Sequence, residues 1–395
     1  MKKRILLVLL AALLLSGCRD WRSGDSALVV PHEGQYTQTE PLELVLVSTY
    51  EQIRSTLSGM ADGAVASCVL GVDDYQGDLE QDMSDATVYA LERDPLGAYA
   101  FSRLTYRFDR IGNQNVVLVD ALYRHSRTEI EAIEQVRYGS AMDRKVAEAL
   151  DTFAPSLTIW VSGYEDTDFA EKVKAYCDEN PDKIMEYPSI SVEIYPDSGA
   201  SRVVELNFNY KSSRDSMWNM QGAVETIFAS ADGYVSLAED EYTKAERLCS
   251  FLLELFRYTP GQSITPSYSL LCQGVSDSAA FSNVFAAMCR RAGLWCQRVD
   301  GSLNGEDWSW NILKVNDTYT YVDLMSGESY LGTVFRGDKD MEGYEWDREA
   351  YPECQVVWPT MAYHPPAEET EPASAELPPA ETGAETEPQA RIETE

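Results

Sequence analysis

Between Ser278 and Asp323 the hydrophobic period of this chain switches from helical to alternating within a few residues, which calls for a helix followed by strands. Phe281, Val284, Phe285 and Met288 recur at the spacing of one helical face. Arg290 and Arg291 follow where the negative end of a helix dipole would lie, and Gly293 suits the stop. The spacing predicts a helix over 278–293 and a strand over 294–299. After a loop at Asn304-Gly305-Glu306 it predicts two strands, 308–315 and 318–322, joined by a tight Asn316-Asp317 turn. Upstream, Ala245, Leu248, Phe251, Leu252, Leu255 and Phe256 fall on one side of a second helix over 241–257. The expected product is a helix packed on an antiparallel sheet.

In order, the chain reads Ser278 at the helix start, Gly293 at its end, Val299-Asp300-Gly301, Trp308-Ser309-Trp310-Asn311 and then Asp323. Tyr344-Glu345-Trp346-Asp347 and Tyr351-Pro352-Glu353-Cys354 close the series. It resembles the transglutaminase-like family of the papain-type thiol enzymes, over roughly a third of the chain. In that family a Cys opens the helix, a Val-x-Gly strand follows, a His-Ala-Trp-Asn strand comes next, and the strand after it ends in Asp. The resemblance implies that Ser278 stands at the nucleophile position, Trp308 at that of the base and Asp323 at that of the orienting acid. Family chemistry needs a thiolate at a helix N-terminus beside an imidazole. A serine hydroxyl attacks only when a neighbouring base takes its proton, and an indole N–H is a donor that cannot serve as one. The histidines, His32, His125 and His364, lie outside the segment. The expected domain is therefore catalytically degenerate, a vestigial triad at Ser278, Trp308 and Asp323, which binds a peptide, a cell-wall fragment or a partner protein. The alternative is a peptide or peptidoglycan hydrolase or transamidase that uses an unrecognised nucleophile, with Cys272 and Ser276 close upstream. A third class is a scaffold that spaces other surface components.

The first residues carry a different signal. Lys2, Lys3 and Arg4 precede an apolar run from Ile5 to Leu15, too short for a permanent membrane span, and Leu15-Ser16-Gly17-Cys18 follows. This resembles the lipobox of bacterial lipoproteins. It implies a signal peptide over 1–18 and diacylglyceryl transfer to Cys18, which would anchor the exported protein to the outer face of the cell membrane. A polar tether is expected over 19–41. At the other end, 365–395 is almost wholly Pro, Ala, Glu and Thr, a composition that cannot repay the entropy of ordering, so disorder is expected there.

Between tether and family segment, residues 42–235 read as a duplicated α/β region, which gives an α+β chain with the transglutaminase-like domain over 236–360. In the first copy a strand over 42–47 precedes a helix over 50–60 and two strands over 99–108 and 115–125. In the second, a strand over 157–161 precedes a helix over 168–180 and strands over 189–195 and 202–210. His125 reads as a surface residue at a strand end. The net charge of −33 disfavours nucleic acid as a partner through repulsion. Besides Cys18 there are seven cysteines with no CxxC pair, which argues against a zinc site and a complete disulfide framework. No cofactor or metal is expected.

Overall fold

The computed structural model describes residues 44–238, 240–257, 259–326 and 335–355. The signal peptide, Cys18, the tether and the acidic tail lie outside the described residues. Two compact units divide after Ala132. Among the described residues no helix is long and apolar enough to cross a membrane.

The first unit is a four-stranded sheet with two long helices. Strand β1 (Leu44–Leu46) leads to helix α1 (Tyr50–Asp62), β2 (Ser67–Gly71), α2 (Leu79–Glu92), α3 (Pro95–Ala100), β3 (Phe101–Ile111), β4 (Gln114–Tyr123) and α4 (Arg127–Glu131). The order across the sheet is β1-β2-β4-β3; β1 and β2 are parallel and the other neighbours antiparallel. Thr49 caps α1 by accepting from Gln52 N–H, and Ile53, Leu57, Met60 and Ala61 form its buried stripe. His125 is half-buried and stacks on Tyr99, with ring centroids 3.9 Å apart.

The second unit begins with the same topology. Strand β5 (Glu134–Arg137), α5 (Ser140–Asp151), β6 (Ser156–Ser162), α6 (Phe169–Glu179), β7 (Ser189–Tyr195) and β8 (Ser201–Asn209) form a sheet of order β5-β6-β8-β7. Again the first two strands are parallel and the remaining neighbours antiparallel. The duplication is thus visible in topology, with the equivalences displaced by one βα step from those of the sequence. The strand at 157–161 is the second of its copy and matches β2, and the helix after it matches α2. The true first strand, β5, is four residues long and carries a single apolar side chain, Val136.

Helix α7 (Arg214–Val235) then turns Met217, Val224, Phe228, Ala231 and Val235 into a core that it shares with α8 (Glu241–Leu255) and with α9 (Ser278–Arg291). Between α8 and α9, the two-residue strands β9 (Thr259–Pro260) and β10 (Val275–Ser276) pair in parallel. A five-stranded sheet completes the unit, of β11 (Trp295–Leu303), β12 (Glu306–Val315), β13 (Thr318–Val322), β14 (Phe335–Arg336) and β15 (Tyr344–Glu345), in the order β14-β13-β12-β11-β15. All its pairings are antiparallel. Asn316 and Asp317 both have positive φ, the geometry that a two-residue hairpin turn requires. The core beneath α9 draws Phe153 and Met185 from the second copy and Leu313, Val315 and Val322 from the sheet. The region 42–235 therefore does not group as one body: its second half packs with the segment that follows, because α7 is a wall common to both.

Candidate functional site

Helix α9 starts at a built N-terminus. Asp277 is its cap and accepts from Ala280 N–H at 2.8 Å, while the β9–β10 pairing fixes the chain just upstream. Ser278, the next residue, is buried, and its Oγ accepts from Ser309 N–H on β12 at 3.0 Å. The β11–β12 register sets Trp308 opposite Gly301 and Ser309 opposite Asp300. Trp308 Nε1–H donates to Asp323 Oδ2 at 2.7 Å. The structure therefore brings positions 278, 308 and 323 to one place: the helix start touches the residue after Trp308, and Trp308 holds Asp323.

Asp323 is 2 % exposed and accepts at least four hydrogen bonds from described residues. Trp308 and the Tyr344 hydroxyl both donate to Oδ2, and Met325 and Ser326 donate backbone N–H groups to Oδ1 at 3.0 Å each. Four donors satisfy the carboxylate's accepting capacity and offset the cost of burying its charge. Behind it, the buried Arg336 donates to Tyr344 Oη at 3.2 Å and to Ser326 Oγ at 3.0 Å. Burial pushes the Tyr344 hydroxyl well above its ordinary value, and the Asp323 charge adds to that, so Tyr344 is a donor at any neutral pH. Tyr344 and Arg336 carry no mark in the sequence that ties them to Asp323. The nearest signal is the Tyr344-to-Asp347 motif, which closes the family-like series without pointing to Asp323.

The other motif positions serve packing. Asn311 Nδ2 donates to Ser282 O and ties β12 to α9. Trp310 is fully buried between Tyr344 and Trp346, with centroids 5.1 and 5.4 Å away. At Gly301 a Cβ would lie 2.2 Å from Glu345 O and 2.8 Å from the Trp310 ring, so only glycine fits beneath β15.

Ser309 also links the site to a neighbouring cleft of about 340 Å³, lined in part by Ala175, Asp178, Asn283, Cys296, Arg298 and Asp300. Its Oγ donates to Asp300 Oδ1 at 2.6 Å. Arg298 donates to both oxygens of Asp300, to Asn283 Oδ1 at 2.8 Å, and lies 3.4 Å from Asp178. Burial pushes the Asp300 carboxyl up, but the hydrogen bonds from Arg298 and Ser309 outweigh it and hold it below the usual carboxylate range. None of these residues was singled out in the sequence apart from Asp300 and Ser309, as motif neighbours. Among the described residues no group of three or more His, Cys, Asp or Glu side chains is arranged to hold a metal ion.

The architecture is a mixed α+β one, with a buried helix start facing an antiparallel sheet. Residues 229–355 match the family model of the transglutaminase-like superfamily, and the chain carries a transglutaminase-like domain there. Three solved structures are similar to the chain at low identity. One is a crystal structure of a TGase, 8% identical over 56% of this chain and 63% of that one, with a TM-score of 0.25. The second is a candidate protease from Parabacteroides distasonis, 9% identical over 68% of this chain and 42% of that one, with a TM-score of 0.22. The third is a candidate cysteine protease from Cytophaga hutchinsonii, 13% identical over 35% of this chain and 62% of that one, with a TM-score of 0.24. The chain thus spans less than two thirds of the length of each. No curated protein matches the chain.

Proposed function

We propose that this chain is an exported lipoprotein, anchored through Cys18 to the outer face of a bacterial cell membrane, whose transglutaminase-like domain binds its ligand without turning it over. The ligand class is a peptide, a cell-wall fragment or a partner protein. The Trp308–Asp323 hydrogen bond carries this reading. In a thiol enzyme the acid orients an imidazole, whose other nitrogen takes the proton of the nucleophile. Here the acid receives an indole N–H, and indole offers no lone pair to a hydroxyl. Ser278 Oγ faces a backbone N–H, which stabilises a lone pair on oxygen and takes no proton from it. Loss of the base alone costs about 10⁶ in rate in a comparable triad, or roughly 8 kcal/mol of barrier. Cys272 sits on a π-helical turn, Ser269–Gln273, ahead of the α9 start, and residues 133–355 contain no histidine to serve it.

The catalytic half of the proposal is tested by assaying amidase, protease and transamidase activity where an active relative turns over. No activity is expected. Turnover lost specifically in Ser278→Ala or Cys272→Ala would overturn the reading. The anchoring half rests on Leu15-Ser16-Gly17-Cys18 and is tested by mass spectrometry of a Cys18→Ala variant. A diacylated chain cleaved before residue 18 in that variant would refute it.

A further inference from the structure

Residue spacing and sheet register bring two thiols together at the end of α9. Asn311 of β12 ties the sheet to Ser282 of α9, and Arg298 of β11 lies directly opposite Asn311. Two residues back along β11, on the same face of the pleat as Arg298, stands Cys296. Seven residues on from Ser282, on the same face of α9, stands Cys289. The turn through Gly293, closed by Leu294 N–H donating to Cys289 O at 2.9 Å, leads the chain from helix into strand. The Cys289 thiol accordingly donates to the Cys296 sulfur. A third thiol, Cys249 of α8, is packed in the same core.

The two sulfurs have different surroundings. Cys289 is fully buried, whereas Cys296 is half-buried and lines the cleft of about 340 Å³ beside Arg298 and Asp300. Burial pushes the Cys289 thiol well above its ordinary value, and the hydrogen bond to Cys296 adds to that, so at neutral pH it stays protonated. Burial does the same to Cys249. A protonated thiol inside a core does not meet an oxidant first, and a thiol on the wall of a cleft does.

We propose that Cys296 and Cys289 are a disulfide switch, in which Cys296 takes an oxidant from the cleft and Cys289 resolves it. The oxidant class is a hydroperoxide, with hydrogen peroxide its smallest member. Peroxide converts the Cys296 thiol to a sulfenic acid; one peroxide oxygen goes to sulfur and the other leaves as water. The Cys289 sulfur then attacks the Cys296 sulfur. The S–S bond forms, the S–O bond breaks, and the departing hydroxide takes the Cys289 proton as a second water. Two thiols are oxidised by two electrons, and one peroxide is reduced to two waters. The new bond closes a ring over residues 289–296, joining the last turn of α9 to the start of β11, and a dithiol reopens it by exchange. The pair lies outside Ser278, Trp308 and Asp323 and does not depend on the reading of that site or of Cys18.

The full chain in nonionic detergent, first reduced and then exposed to hydrogen peroxide at neutral pH, tests the proposal. Remaining thiols are alkylated with iodoacetamide in urea, and trypsin is added without reductant. Arg290 and Arg291 lie between the two cysteines, so cleavage leaves them on separate peptides that only a disulfide holds together. Mass spectrometry should find the Cys289 and Cys296 peptides linked, and dithiothreitol before alkylation should release them. Cys289→Ser should leave a sulfenic acid on Cys296, trapped by dimedone. Cys296→Ser should leave Cys289 fully open to alkylation. The proposal is overturned if Cys289 and Cys296 both remain alkylated at peroxide doses that oxidise the exposed Cys272. A link from Cys249 to either sulfur overturns it too, as does oxidation of Cys289 that persists in Cys296→Ser. The wild-type cross-link requires no substitution, so it decides the question even where a buried variant fails to fold.

Discussion

Trp308 and Asp323 define what the site can become. A histidine at 308 can donate to Asp323 from one ring nitrogen, as the indole does now, and turn the other towards position 278. The double change Ser278→Cys, Trp308→His is therefore expected to create a thiol that reacts with iodoacetamide well below neutral pH. Its pKa should fall by several units from about 8.5, with imidazolium and helix terminus acting together. The single Ser278→Cys change should shift less, since only the helix end assists it. A new thiol that titrates like an ordinary one in a folded double variant would show that 278 and 308 do not converge. Asp300 gives a pH signature. Its folded pKa lies below the unfolded one, so the stability it contributes is present above about pH 4 and is lost as the pH falls through the folded value. With 64 % of its side chain exposed, that contribution is small. Urea melts of wild type and Asp300→Asn should differ at neutral pH and converge in acid. At this scale the meeting of helix start, Trp308 and Asp323 was legible, because the period change and the glycines fix the distances along the chain. Tyr344, Arg336 and the Asp178–Arg298–Asp300 network were not. Polar partners distant in sequence leave no periodic trace, and an isolated arginine reads as a surface residue until its burial is seen.

Among the elements, α9 shows how a local device positions a site. Asp277 satisfies an N–H of the first turn and holds Ser278 at the helix start. At the other end Arg291 grips Glu225 and Asp232 of α7. Asp277→Ala should cost about 1 kcal/mol of stability, measured by urea denaturation, and more if the Ser278–Ser309 bond loosens with it. An unchanged midpoint would mean that the cap is supplied by other groups. Long elements with a clear period, such as α8, α9, β12 and β13, matched their sequence expectation to within a few residues. The weakly patterned ones did not announce themselves. Helices α2 and α5 and strands β2 and β5 were unassigned, and β5, exposed along most of its length, has no alternation to read. Missing β5 displaced the whole repeat, since the strand at 157–161 then became the first apolar one available.

At the scale of the whole molecule, the division after Ala132 and the shared core of the second unit set what can fold alone. A boundary near 235 looks natural in the sequence, where α7 ends and a polar stretch begins. An amphipathic helix, however, declares only that it has an apolar face and not which neighbour covers it. A fragment of residues 133–355 is expected to show a single cooperative melting transition with intact near-ultraviolet dichroism. A fragment of residues 236–355 loses Phe153, Met185, Met217, Val224 and Phe228 from its core and should show neither. Cooperative melting of the shorter fragment would place the boundary at 235 after all.

The bond from Trp308 to Asp323 has a further consequence at the level of the gene. The tryptophan codon shares no base with either codon for histidine, so a lineage that holds indole here must pass through other residues before it recovers imidazole. The single-base routes run through arginine, cysteine, tyrosine or glutamine, each of which must refit the half-buried space of the indole beside a buried carboxylate, and a misfit of that kind costs about 0.5–3 kcal/mol. That is a sizeable fraction of a marginal fold, with no catalytic gain to offset it until the last base has changed. Most serine codons lie one base from cysteine, so position 278 can regain a thiol in a single step, whereas the indole works as a ratchet.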